Sequence, residues 1–260
     1  MTWAPVAPPA PRELRGRHVR LRPLQVADAD ALFEQSHPPR ADPALWTYMA
    51  YGPFDGVAEY RALLSDFEGV SDPLFLTLVP VALGTPAGVA AYMRIVPEHG
   101  VVEIGHIWFG ASLRRTTAAT EAIYLLARHA FEDLGYRRLE WKCDALNGPS
   151  RQAARRLGFR FEGVFAQHMV VKGRNRDTAW FAITDREWPE IAAGFRGWLE
   201  EANHGPDGAQ LRPLSAFLPG GGDSGGAREP DSGHAGGGRD PDTGDAGGAR
   251  EPDTGEQTSA

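Results

Sequence analysis

Cysteine is almost missing. Cys143 stands alone among 260 residues, so no disulfide can form within the chain, and a reducing, cytoplasmic setting is expected. Long apolar runs are missing as well. The nearest approach, Leu74 to Met93, is interrupted by Pro80, Gly84, Pro86 and Gly88, breakers that suit a strand hairpin and not a membrane helix. The N-terminus, with Pro5, Pro8, Pro9 and Pro11, lacks the basic start and apolar core of a signal peptide. Neither a membrane nor a secretory route is expected.

From Pro219 to Ala260 there is no Leu, Ile, Val, Phe, Trp, Tyr or Met, and nine acids face three arginines. The net charge of the chain is −7, so the stretch accounts for −6 and leaves about −1 for the rest. A near-neutral domain has no basic footprint, and no nucleic-acid partner is expected. The stretch repeats every 11 residues, from Gly225, Gly236 and Gly247. It has neither the apolar seam of a supercoil nor the apolar residue per turn of a calcium-binding roll. Disorder is the expectation for it. Also lacking are histidine, cysteine or carboxylate clusters with metal-ligand spacing, and a nucleophile–base pair of the hydrolase kind. No metal is expected.

Between Leu14 and Phe217 ordered patterns alternate. His18–Leu24, Leu74–Pro80, Ala87–Val96, Val101–Phe109, Arg138–Asp144, Phe161–Val171 and Thr178–Thr184 read as strands. Val26–Gln35, Asp55–Phe67, Thr117–Leu134, Pro149–Leu157 and Asp185–Glu201 read as helices. Gly135 is a C-terminal cap and Pro149 a first-turn proline. Antiparallel strands with one βα crossover predict an α+β, three-layer domain with about seven strands and helices on both faces. The expected organisation is a flexible N-terminus over 1–13, one domain over 14–203, and a linker with the acidic tail over 204–260.

Two segments carry candidate chemistry. In the first, Gly110 to Ala119 leads from a strand into the longest helix, whose free N–H groups suit a diphosphate, with Arg114 and Arg115 adjacent. Solvated arginines and a Thr116 or Thr117 N-cap explain the same residues structurally. In the second, Asn147 and Ser150 open a helix that ends at Leu157-Gly158-Phe159. An Asx turn at Asn147 and a backbone-bonded Ser150 are the structural alternatives.

Together with Gly16-Arg17-His18-Val19-Arg20-Leu21-Arg22-Pro23-Leu24, Glu103-Ile104-Gly105 and Thr120-Glu121-Ala122, these segments resemble the GNAT acyltransferase superfamily. The resemblance is strongest to its ribosomal-protein N-terminal-alanine acetyltransferases (RimJ/RimL-type) and covers about Leu14 to Phe195. It implies acetyl-CoA as co-substrate, bound at Arg114, Arg115, Thr116, Thr117, Ala118 and Ala119. In that loop Thr117 replaces the usual inner glycine. It further implies that Ile107 and Trp108 line the thioester strand and that Asn147 meets the pantetheine or a water. Many relatives carry a tyrosine where Ala154 stands, which leaves Ser150 as donor to the departing thiolate.

An amine attacks a thioester only when unprotonated. The resemblance makes Glu103 the first candidate base, its pKa raised if it lies among apolar Val101 and Ile104. Pairing with an arginine on a neighbouring strand is its structural alternative. His106 is the second candidate, facing away from Glu103 unless a bulge intervenes, and otherwise a core histidine. The run Lys172–Asp177 is either a solvated turn or a rim of the acceptor site. Trp46, Tyr48, Tyr51 and Phe54 are either core or acceptor pocket. The expected acceptor is an amine-bearing peptide or protein N-terminus, the alternatives being a small amine or antibiotic, or a non-catalytic acyl-CoA-binding module. A monomer or homodimer is expected.

Overall fold

The computed structural model describes residues 3–206 and 208–219; the repeats from Gly225 onward lie outside them. One sheet of eight strands organises the domain, in the order β1-β2-β3-β4-β5-β6-β8-β7. Its strands are β1 (Leu14–Arg15), β2 (Val19–Pro23), β3 (Leu74–Pro80), β4 (Gly88–Val96), β5 (Val101–Phe109), β6 (Arg138–Asp144), β7 (Arg160–Val171) and β8 (Arg174–Thr184). The strand beyond the expected seven is β1, two residues pairing with Arg20 and Leu21. It is too short for any periodicity to announce. All neighbours are antiparallel except β5 and β6.

The helices are α1 (Ala29–Ser36), α2 (Val57–Phe67), α3 (Thr117–Arg128), α4 (Gly148–Arg156) and α5 (Trp188–Leu199). The first turn expected in α1, Val26–Asp28, is a 3-10 turn. The helix expected to run to Leu134 is α-helical only to Arg128 and then widens into a π turn, His129–Asp133. There His129 Nδ1 lies 2.7 Å from Asp133 Oδ2.

Two apolar layers cover the sheet. Val102, Ile104, Leu139, Trp141 and Phe181 pack with Ile123, Leu126 and Phe195 of α3 and α5. On the opposite face Phe75, Val89, Ala91 and Trp108 pack with Leu32, Tyr60 and Leu64 of α1 and α2 and with Trp46. α3 is buried nearly all round, so burial at the centre of the domain, more than helix propensity, holds it.

The motifs that carry the resemblance hold parts of this frame together. Glu121 of α3 is buried, and its carboxylate accepts from the backbone N–H groups of Arg17 (2.9 Å), His18 (2.6 Å) and Val19 (3.0 Å). Arg22 is paired with buried Asp28, which also accepts from Thr77 Oγ1 at 2.7 Å. Gly158, at φ +88°, reverses the chain at the end of α4, where the N–H of Phe159 bonds back to Ala154 at 3.0 Å.

Candidate active site

β5 and β6 pair only through Val101↔Arg138, Val102↔Leu139 and Glu103↔Glu140. Beyond Glu103 the ladder stops while both strands continue, β5 to Phe109 and β6 to Asp144. β6 stays fully paired to β8 on its other side. The two centre strands therefore part, which leaves edge amides along the cleft for a ligand to meet.

A bulge shapes the cleft wall. Ala91 opposes Gly105 and Val89 opposes Trp108, so β5 carries one residue more than β4 between these pairs. His106 takes φ +50° there. The extra residue changes the side-chain alternation and brings His106 onto the α1–α2 face together with Glu103. Its ring stacks on Tyr51 with centroids 5.7 Å apart, and Nδ1 lies 3.2 Å from the Tyr51 hydroxyl. Phe67 and Phe75 complete its surroundings. Burial, helped by the charge of Arg94, pushes the imidazole down to about 4. It is neutral at physiological pH.

Glu103 is buried, and it is an ion-paired group. Arg94 on β4 donates to it at 2.7 Å and Lys142 on β6 lies 3.0 Å away. Of the two readings of Glu103, the structure shows pairing with an arginine on a neighbouring strand, and adds Lys142 as a second cation. Lys142 is itself buried, 2.6 Å from Glu140 and 3.8 Å from the centre of the Trp180 ring. Arg94, Lys142 and Trp180 carry no family motif, so nothing local in the sequence pointed to them. Gly105 follows from the same packing, since a Cβ there would lie 2.3 Å from Met93 Sδ.

At the beginning of α3, Thr116 is the N-cap: its hydroxyl accepts from Ala119 N at 3.2 Å and donates to Leu113 O at 2.7 Å. That bond occupies the N–H of Ala119. Among the described residues no acceptor is found for the N–H groups of Arg115, Thr117 or Ala118. Arg115 adopts φ +60°, and the Arg114 and Arg115 side chains are exposed. Thr117 is only partly exposed. The preceding loop is pinned to α1 by buried Gln35, whose side chain accepts from Ser112 N at 3.0 Å and whose carbonyl accepts from Ala111 N. Free amides, helix dipole and two guanidinium groups fit an anionic diphosphate.

Asn147 caps α4, accepting from Ser150 N at 3.1 Å. Ser150 Oγ accepts from Trp141 Nε1 at 3.0 Å. Cys143 also hydrogen-bonds Ser150, and burial pushes its thiol up. Ile107 packs against the main core, and Trp108 lies in the second core, 5.7 Å from the Trp46 ring. Trp46, Tyr51 and Phe54 pack on one another, while Tyr48 donates to Leu146 O at 3.0 Å. The turn Lys172-Gly173 brings the Lys172 ammonium onto the carbonyls of Trp46, Tyr51 and Gly52 at 3.0, 3.2 and 2.5 Å. The β7–β8 tip thus bridges to the loop after α1.

Parted central strands beside an amide-rich helix start form a cleft that the family resemblance assigns to an acyltransferase. The acetyltransferase (GNAT) domain family matches residues 18–160, and the chain belongs to it. A GCN5-related N-acetyltransferase structure from Brucella melitensis is 45% identical with a TM-score of 0.81, covering 83% of this chain and 97% of that one. A Bacillus licheniformis protein described as uncharacterized N-acetyltransferase p20 is 27% identical over 171 residues, 65% of this chain and 93% of its own. A Salmonella typhimurium acetyl transferase described as modifying the N-terminal serine of ribosomal protein L7/L12 shares the fold, at 18% identity and TM-score 0.56. That match covers 66% of this chain and 99% of that one. Among the described residues no helix is long and apolar enough to cross a membrane.

Proposed function

We propose that the chain transfers acetyl from acetyl-CoA to the α-amine of a peptide or protein N-terminus. The observation that carries the reading is the parting of β5 and β6 after Glu103↔Glu140, beside the unpaired amides of α3. In this reading Arg114, Arg115, Thr117 and Ala118 hold the diphosphate. The pantetheine runs between the strands past Asn147, and acetyl-CoA supplies the thioester carbon that the amine attacks. Ser150, braced by Trp141, gives the departing sulfur its proton.

Base strength bears on the acceptor. His106 is held down to about 4, which makes it a weak base, and both Arg94 and Lys142 already engage the Glu103 carboxylate. An amine that is partly free in water is then favoured. An α-amine titrates near 7.7–8.0 and a lysine near 10.4, which makes the free base roughly 200- to 400-fold more abundant for the α-amine at pH 7. The fold shared with an enzyme described as modifying a ribosomal N-terminal serine points the same way. His106 and Glu103 border the path of the proton leaving the amine.

One observation favours a small amine instead: Lys172 bridges β7–β8 to the loop at Trp46–Gly52 and narrows the approach from that side. The test is thiol release from acetyl-CoA with alanine amide, seryl and alanyl peptides of increasing length, and an N-terminally blocked lysine peptide. Mass spectrometry then locates the acetyl group. The proposal expects kcat/KM to rise with length and the blocked peptide to be inert. Best turnover of the amide would establish the small-amine reading, and coenzyme binding without any turnover would make the chain an acyl-CoA-binding module.

A further inference from the structure

β4 carries a second bulge, between Met93↔Glu103 and Val96↔Val101. Arg94 sits in it at φ +47°, a conformation costly for a residue with a Cβ unless its surroundings impose it. Asp72 imposes it. One carboxylate oxygen accepts from Arg94 N at 2.9 Å and the other from Ile95 N at 3.1 Å. The clamp aims the guanidinium across the strand at Glu103, to 2.7 Å. Arg94 is 43% exposed while Glu103 is 4% exposed, so a solvent-reaching cation closes a buried carboxylate.

We propose that Arg94 is a positioning residue for acetyl transfer: the Asp72-capped bulge fixes its guanidinium on Glu103, on the face of β5 that also carries His106, and so holds the polar groups that border the acceptor amine. This rests on the transferase reading above. In the reaction the amine nitrogen forms a bond to the thioester carbon and the carbon–sulfur bond breaks. The departing thiolate takes a proton relayed through Ser150, whose hydroxyl water reprotonates in the same transfer, and the nitrogen loses one towards His106, Glu103 or water. An imidazolium at His106 could accept nothing.

The groups facing His106 are the Tyr51 hydroxyl from the loop after α1, Phe67 of α2 and Phe75 of β3, and the charge of Arg94 on β4 reaches it. Those facing Glu103 are Arg94 and, from β6, Lys142, with Glu140 and the Trp180 ring behind that lysine. Arg94 is the charge shared by both. Like charge disfavours the imidazolium, and removing it favours protonation.

The experiment combines Arg94→Met, Arg94→Lys and Asp72→Asn in the full chain, with His106 titrated by proton NMR and kcat/KM followed from pH 4 to 9. The wild type should lose rate with unit slope below the amine pKa. Arg94→Met should raise the His106 midpoint and steepen the profile towards a slope of two as pH falls through that raised midpoint, while the acetyl-CoA Kd stays within about twofold. Arg94→Lys should restore most of the wild-type profile, and Asp72→Asn should shift in the same direction by less. An unmoved His106 midpoint overturns the proposal. So does a moved midpoint with an unchanged rate profile. A wild type that binds acetyl-CoA yet acetylates no amine overturns the transferase reading itself, whatever His106 does.

Discussion

Gly16 and Glu121 form one joint. A Cβ on Gly16 would stand 2.4 Å from the Glu121 carboxylate carbon, and that carboxylate receives three consecutive backbone N–H groups from Arg17 to Val19. Two sequence motifs more than a hundred residues apart are thus the two halves of a single clamp tying β2 to α3.

The clamp yields the first prediction. Glu121→Gln replaces a two-oxygen acceptor with one oxygen and an amide donor, leaving at least one N–H unpaired. It should cost about 2–3 kcal/mol. Gly16→Ala pushes a methyl into the carboxylate and should cost about 1–3 kcal/mol. Urea unfolding measures both, and acetyl-CoA affinity of the folded fraction should remain at the wild-type level.

His106 makes stability depend on pH. Its folded-state value, about 4, lies below the 6.5 of an unfolded histidine, so between these limits the unfolded chain binds more protons. The contribution of the neutral buried ring is full above about pH 6.5, falls as pH drops through the window, and is gone below about 4. It amounts to no more than about 3 kcal/mol. His106→Gln should flatten this part of the stability–pH curve, as read from urea midpoints between pH 4 and 7. An unchanged slope would show that other groups carry it.

Arg114 and Arg115 are exposed and have no ion pair among the described residues. Replacing either by Ala should weaken coenzyme A binding about tenfold, the worth of one solvent-exposed charged hydrogen bond. The salt dependence of binding should shrink accordingly. Calorimetry at two ionic strengths reads both effects, and the thermal midpoint should hardly move.

Ser150→Ala removes the acceptor of Trp141 Nε1 and should cost about 1–2 kcal/mol of stability. If Ser150 protonates the leaving thiolate, kcat also falls by at least about tenfold with the coenzyme Kd unchanged. Ser150→Thr, which keeps the hydroxyl, should recover most of the rate. A loss of stability without loss of kcat would reduce Ser150 to a brace for Trp141.

Local pattern was enough for much of this molecule. Leu74–Pro80, Val101–Phe109 and Arg138–Asp144 are strands over the residues their apolar composition indicates. Thr116 caps α3 and Gly158 ends α4 by chemistry that acts within a few residues. The family, too, was visible in short motifs. By itself the sequence determined most of the elements and their order, because propensity, capping and periodicity are short-range, and its motifs carried the resemblance to the family. Only the tertiary structure decided the electrostatics of the site. Whether Glu103 stands alone or between Arg94 and Lys142 depends on which strands become neighbours, and whether His106 shares its face depends on one extra residue in β5. Charges and donors act through space across paired strands, at separations along the chain that no local pattern records.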